Sequence, residues 1–253
     1  MIEQGHTDQA AALPEVAARL SAVLNAQLEP MNELAGRLTE MWARPSARRN
    51  GFSGTEVSSL ASQVESAIRQ VDRMVGHGFI AAPGVVDGHE RYMLWLQRKN
   101  GKIYRLRLNI DHSDPDSYEY VTMEWYVRAV TYGAQVLTGP YLDYSGSNHF
   151  VLTFSAPVRS DGKLLGVVAT DVLVHKAETE FVKILQRLDE DAVLANADRI
   201  VVAANSVRWI PGDRLPAHPA DDPANFHSVV PLSDWTGWWL ALASGQGDAR
   251  KPR

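Results

Sequence analysis

"TGPYLDYSGSNHFVLTFSAPVRSDGKLLGVVATDVLV", residues 138–174, is the stretch on which the fold turns. Gly139-Pro140 punctuates the chain, and two apolar runs, 150–158 and 164–174, then flank Asp161-Gly162. Asp-Gly supplies the positive φ angles of a tight turn, so the two runs read as paired antiparallel strands. Asp171 lies inside the second run, between Thr170 and Val172. A carboxylate in such a strand is costly unless it is paired, hydrogen-bonded or open to a cavity. Tyr141 and Asp143 enter the first run, and a phenol and a carboxylate there suit the rim of a pocket.

Period-two alternation extends upstream to about residue 78. "RYMLWLQR" and "KIYRLRLNID" are joined by Asn100-Gly101, a second hairpin signal. Tyr104, Leu106, Leu108 and Ile110 share one face of the later strand, and Arg105 and Arg107 the other. A polar loop (111–117) leads to a short helix, "EWYVRAVTYG", and residues 175–188 are helical with Phe181, Ile184, Leu185 and Leu188 on one side. Residues 192–205 read as another hairpin, 211–225 as a loop with four prolines, and 227–244 as one or two strands.

The N-terminal part has helical spacing. Over 13–42 the apolar positions include Ala17, Leu24, Met31 and Leu38, seven apart, which suggests a dimerising stripe. Pro30 is expected to kink or break that helix. Ser53 and Glu56 form an S-x-x-E capping box opening a second helix, with Val57, Leu60, Ala61, Val64, Ile68, Val71 and Val75 as its buried stripe. The sum is α+β: long N-terminal helices (1–77), an antiparallel-sheet lobe (78–190), a small second α/β lobe (191–245) and a tail (246–253).

Composition narrows the function. With 25 basic and 30 acidic residues, net charge −5 and no basic run, nucleic acid is excluded as an expected partner. There is no cysteine, so thiolate metal sites, disulfides and cysteine catalysis are out. The N-terminus lacks the pattern of a signal peptide and no apolar run reaches membrane-spanning length, which points to the cytoplasm. No nucleophile elbow, phosphate-binding loop or dinucleotide fingerprint occurs. The eight histidines are scattered without zinc spacing, and the acidic cluster 111–116 lacks an EF-hand's glycine and distal glutamate. No metal, cofactor or enzymatic activity is expected.

What remains is a constellation over 118–171: Tyr118, Tyr120, Trp125 and Tyr126, then Tyr141, Asp143 and Asp171. Aromatic rings with polar tips suit the walls of a small-molecule cavity. The run from "EWYVRAV" through "GPYLD", the strand ending in Pro157, the Asp161-Gly162 turn and "GVVATD" resembles the core of Cache sensor domains, the extended PAS-like ligand-binding family of bacterial chemoreceptors and sensor kinases. The resemblance covers about residues 10–190, and 190–245 is similar to a shortened second lobe of the double-Cache type. It implies non-catalytic binding of a small metabolite, a PAS-like sheet behind long helices, and a homodimer through the first helix.

In the amino-acid-binding branch of that family, the ligand carboxylate is held by an arginine two positions before the Trp, with the Trp-Tyr pair. The amine is held by the Tyr of the Pro-Tyr strand and by the Asp closing the last strand. Carried over residue by residue, Trp125, Tyr126, Tyr141 and Asp171 match, and the arginine position is Met123. Bidentate carboxylate capture is therefore absent there, unless Arg105, Arg107 or Arg128 replaces it. The expected ligand is an amine, an amino-acid-like or another small organic molecule, held by Tyr120, Met123, Trp125, Tyr126, Tyr141, Asp143 and Asp171. Two competing expectations are a dimeric scaffold with a vestigial pocket and an enzyme centred on Asp143, His149 and Asp171.

Overall fold

The computed structural model describes residues 3–245, so the expected tail at 246–253 lies outside the described residues. The chain divides into two units, residues 27–174 and residues 1–26 with 175–253.

The first unit opens with α2 (Leu28–Trp42), preceded in the chain by α1 (Glu3–Asn25) of the other unit. The break falls at Ala26 and Gln27, just ahead of Pro30. Pro30 becomes the third residue of α2, where its missing N–H would have had no intrahelical acceptor. Ala17, Leu24, Met31 and Leu38 are all buried by the chain itself. The stripe that suggested a dimer is thus covered without a second copy, and the homodimer loses the face that recommended it.

Short α3 (Pro45–Asn50) leads to α4 (Gly54–Ser58) and α5 (Ala61–Gln70). The Ser53–Glu56 capping box forms at the start of α4, with Ser53 Oγ accepting from Glu56 N at 3.1 Å. The expected second helix is interrupted at Ser59 and Leu60 and ends at Gln70. Val75 belongs to β1 (Met74–Ala81), so the strand region starts four residues before the position expected from the sequence.

Five more strands follow: β2 (Met93–Lys99), β3 (Lys102–Arg105), β4 (Val136–Leu142), β5 (Phe150–Ser160) and β6 (Lys163–Leu173), with α6 (Glu124–Tyr132) between β3 and β4. They form one antiparallel sheet in the order β3-β2-β1-β6-β5-β4. The two hairpins expected in this sheet are present, with positive φ at Asn100 and Gly101 and at Asp161 and Gly162. At Gly78 the β1 and β2 backbones approach so closely that a Cβ would fall well inside contact distance of the Leu94 carbonyl oxygen.

In the second unit α7 (Val174–Leu185) precedes β7 (Ala192–Ala195), β8 (Val201–Ala204), β9 (Phe226–Pro231) and β10 (Trp239–Ala243), in the order β8-β7-β10-β9. Val193, Ala195, Val201, Leu215, Phe226 and Ala241 form its core, and Trp209 stacks on Phe226 at 5.8 Å.

Because the obstacle at Gly78 is backbone, it cannot rotate away. Gly78→Ala is expected to cost about 3 kcal/mol in urea unfolding. A loss below about 0.5 kcal/mol, small for any surface change, would mean that the two strands part freely there.

Candidate ligand-binding site

Successive residues of a strand face opposite sides of its sheet, and paired residues face the same side. Asp171 of β6 is paired with Gly76 of β1 and Thr153 of β5, so these three share a face. Ala169 and Ile80 lie on that face too, as do Met93 and Trp95 of β2. Gly76 makes room for Trp95: a Cβ there would be 2.6 Å from the indole Cζ2, so the ring lies across a bare backbone. Leu106 and Leu108 from the chain after β3, with Tyr118 and Trp125, complete the walls. Tyr141, Asp143 and Gly146 form the rest of the lining of a partly open cavity of about 410 Å³, counted out to its mouth.

Tyr141 reaches this face through an irregularity. The β4–β5 register shifts between Thr138 and Tyr141, so Tyr141 is paired with Val151, two residues from Thr153. Without the extra residue supplied by the Gly139-Pro140 step, Tyr141 would point to the other side. Its hydroxyl lies 2.7 Å from Thr153 Oγ1, which donates to Asp171 Oδ1 at 2.6 Å. A threonine hydroxyl has one proton, so Tyr141 donates to Thr153 in this arrangement. Asp143 is held differently: Gly146 N donates to Oδ1 at 3.1 Å and Ser147 N to Oδ2 at 2.6 Å, which braces the turn at the rim.

The cavity is acidic. Asp143 and Asp171 line it, and no arginine, lysine or histidine does. Asp171 is 7% exposed. Burial, and then the nearby Asp143, push its carboxyl up to about 7, against the lowering effect of the Thr153 hydrogen bond. The same burial, followed by the charge of Asp171, raises the phenols of Tyr118 and Tyr141 well above the ordinary tyrosine range.

Of the residues singled out in the sequence, Tyr118, Trp125, Tyr141, Asp143 and Asp171 come together on the cavity. Tyr120, Met123 and Tyr126 are not among its lining. Tyr120 is fully buried, and its hydroxyl donates to Ala81 O at 2.8 Å. Tyr126 packs beside it, 5.6 Å between ring centroids, with a buried hydroxyl that has no hydrogen-bond partner among the described residues. Burial pushes both phenols up to about 12. Met123 occupies the N-cap position of α6, without a side-chain cap, and packs on the apolar cluster that includes Trp125.

None of the three arginines takes the place of a cation at Met123. Arg105 donates to Ser58 Oγ at 3.0 Å and to the Tyr92 hydroxyl at 3.1 Å, Arg128 pairs with Glu124 at 3.1 Å, and Arg107 is exposed. His149 is exposed and outside the lining. Sequence reasoning missed Trp95 and Thr153 as lining residues. For Trp95 a signal was present, since alternation sets Met93 and Trp95 on one face of a strand that pairs with Gly76 and Gly78.

The antiparallel sheet behind N-terminal helices, with a walled cavity on one face, defines a PAS-like sensor domain. Residues 60–177 match the family model of the methyl-accepting chemotaxis protein-like first PDC sensor domain. The match contains every residue that lines the cavity. Solved structures of similar fold include the ligand-binding domain of Campylobacter jejuni chemoreceptor Tlp3 in complex with L-valine, 13% identical with a TM-score of 0.67 over 97% of this chain and 94% of that one. The ligand-binding domain of the Pseudomonas aeruginosa PAO1 amino-acid chemoreceptor PctC, in complex with GABA, is 19% identical with a TM-score of 0.57 over 91% and 94%. Methyl-accepting chemotaxis protein X is 16% identical with a TM-score of 0.61 over 96% and 99%. No curated protein matches the sequence. These likenesses lend no support to the cytoplasmic location expected above. No helix of the described residues is long and apolar enough to cross a membrane.

A buried acid whose folded value is raised is more readily protonated in the folded than in the unfolded chain. Its contribution therefore favours folding at low pH and is lost as pH rises from about 4 to about 7. Asp171→Asn removes that loss. Its stability relative to wild type is expected to climb between pH 4.5 and pH 8, by roughly 2–4 kcal/mol. Equal differences at the two pH values would show a carboxyl that is not perturbed by its surroundings.

Proposed function

We propose that this cavity binds a small amine that lacks a carboxylate, and that the domain reports its presence without chemical turnover. The observation that carries the reading is the buried Asp171 carboxyl, set with Asp143 in a cavity whose lining contains no positive side chain. A cationic amine supplies the missing charge, and it is favoured by the acids and by the aromatic lining of Trp95 and Trp125. An amino acid would bring its own carboxylate into the same acidic space with no guanidinium or ammonium to receive it. The apolar side chains of Ile80, Met93, Leu106 and Leu108 suit an aliphatic or aromatic body attached to the amine. The sensor-domain family matched by residues 60–177 supports a sensing role, and the valine and GABA complexes of the similar folds support a ligand of this size.

Matched pairs test the reading by thermal shift and titration calorimetry: isobutylamine against valine, and 2-phenylethylamine against phenylalanine. At least one amine is expected to bind at least tenfold more tightly than its amino acid. At a hundredfold excess over its dissociation constant it should stabilise the fold by about 2.7 kcal/mol. Asp171→Ala should abolish the gain. Amino acids binding as well as their amines, or no amine binding at all, would overturn the proposal.

A further inference from the structure

The two acids of the cavity are held by different kinds of donor. Asp143 receives backbone N–H groups from Gly146 and Ser147, which can only donate and therefore match a carboxylate. Among the described residues Asp171 receives a single hydrogen bond, from the Thr153 hydroxyl, itself 2.7 Å from the Tyr141 hydroxyl. A hydroxyl chain works in both directions. With Asp171 ionised, Tyr141 donates to Thr153 and Thr153 to Oδ1; with Asp171 protonated, the acid O–H donates to Thr153 and Thr153 to Tyr141. Each member of the chain keeps a partner in both states, so nothing in the network locks Asp171 as an anion.

The surroundings of Asp171 act the same way. Gly76 of β1 faces it with no side chain, and β5 offers Thr153. The charged and titratable groups that face it are Asp143 at the rim, Tyr141 of β4 and Tyr118 ahead of α6. The nearest buried histidine, His77, is on the other face of the sheet, with Nδ1 2.8 Å from Thr170 Oγ1. Two carboxyl groups in one largely apolar cavity without a cation resist carrying two charges.

Resting on the amine reading above, we infer that ligand-free Asp171 is a neutral carboxylic acid, and that a cationic amine enters by exchanging for its proton. The O–H bond of Asp171 breaks, the proton leaves to solvent, and the carboxylate left behind pairs with the incoming ammonium. Net charge in the cavity is the same before and after. The upward push on Asp171 from burial and from Asp143 acts in the same sense. Amine affinity should then rise about tenfold per pH unit below neutrality and level off above it.

Two measurements test this on the whole protein. Titration calorimetry of 2-phenylethylamine and isobutylamine at pH 6, in phosphate and in imidazole, counts protons through the difference in buffer ionisation heat. Close to one proton released per amine at pH 6, and close to none at pH 8.5, is the expected result. Carbon-13 carboxyl NMR of aspartate-labelled, ligand-free protein should show one resonance titrating near neutral pH and missing in Asp171→Asn. Should that variant fail to fold, Thr153→Val provides the assignment, because loss of the one donor moves the same resonance to higher pH. An Asp171 resonance that titrates near pH 4, or amine binding without proton release at pH 6, overturns the exchange while leaving amine binding intact. Absence of binding by every amine overturns both readings, whatever the resonance does.

Discussion

The physical constraint on which this architecture depends is a carboxyl group in the middle of an apolar sheet. β6 is an interior strand, paired along its length with β1 and β5, and Asp171 lies near its end between Thr170 and Val172. Its burial cannot be relieved by turning outward, because both neighbouring strands are in place. The fold accommodates it through irregularities next to it. The β1–β6 register shifts between Met74 and Gly76, the β5–β6 register between Val158 and Arg159, and the β4–β5 register between Thr138 and Tyr141. The first shift begins just past the Gly76–Asp171 pair, and the other two decide which residues face the acid: a threonine on β5 and a tyrosine one strand further out. A regular ladder of the same strands would bring a different set of side chains to it.

On the opposite face of the same strand pair sits a second buried titratable group with the opposite behaviour. His77 is 1% exposed, with Nδ1 2.9 Å from Ala169 O and 2.8 Å from Thr170 Oγ1. Burial lowers it to about 4, outweighing the backbone carbonyls of Ala169 and Pro30, which favour the charged ring. A neutral buried histidine contributes stability that is present above about 6.5 and is lost as pH falls through 6.5 towards 4. Asp171 does the reverse over nearly the same window. Back to back on β1 and β6, the two groups act on stability in opposite senses as pH changes. Comparing variants at each pH separates them, whereas the wild-type profile alone does not.

Much of the fold was legible because its signals are local. Asn100-Gly101 and Asp161-Gly162 announce their hairpins, and Ser53 with Glu56 announces a helix start. Asp171 and Tyr141 stood out because a carboxylate in a greasy strand and a tyrosine after Gly-Pro are local anomalies. Thr153 was not legible in the same way. Counting back from the Asp161-Gly162 turn in regular register sets Leu152 opposite Asp171, and only the shift at Val158 and Arg159 brings Thr153 there. Bulges of this kind leave little trace in a single sequence. Tyr120 and Tyr126 misled for a related reason: on a helical turn, rings a few residues apart diverge, so Trp125 and Tyr118 reach the cavity while their neighbours fill the core. The heptad-like spacing over 17–38 matched a dimer stripe and an intramolecular core face equally well, and burial decided for the latter.

On the proposed reading, charge and shape divide the work of recognition. The ammonium group is common to all amines, so Asp171 and Asp143 sort amines from acids and zwitterions but cannot tell one amine from another. That discrimination falls to the apolar walls, where each methylene removed from water is worth about 0.8 kcal/mol, roughly a fourfold change in affinity. Leu106 and Leu108 come from the chain beyond β3, which is held to the sheet by the bond from Leu106 N to Trp95 O at 2.9 Å, whereas Ile80, Ala169 and Asp171 lie within continuous strand pairing. The cation-binding floor is therefore rigid, while the wall that measures the body of the ligand is built on a segment with fewer backbone ties. Within one fold, selectivity among amines can change through that segment alone, without disturbing the buried acid or the strands that hold it.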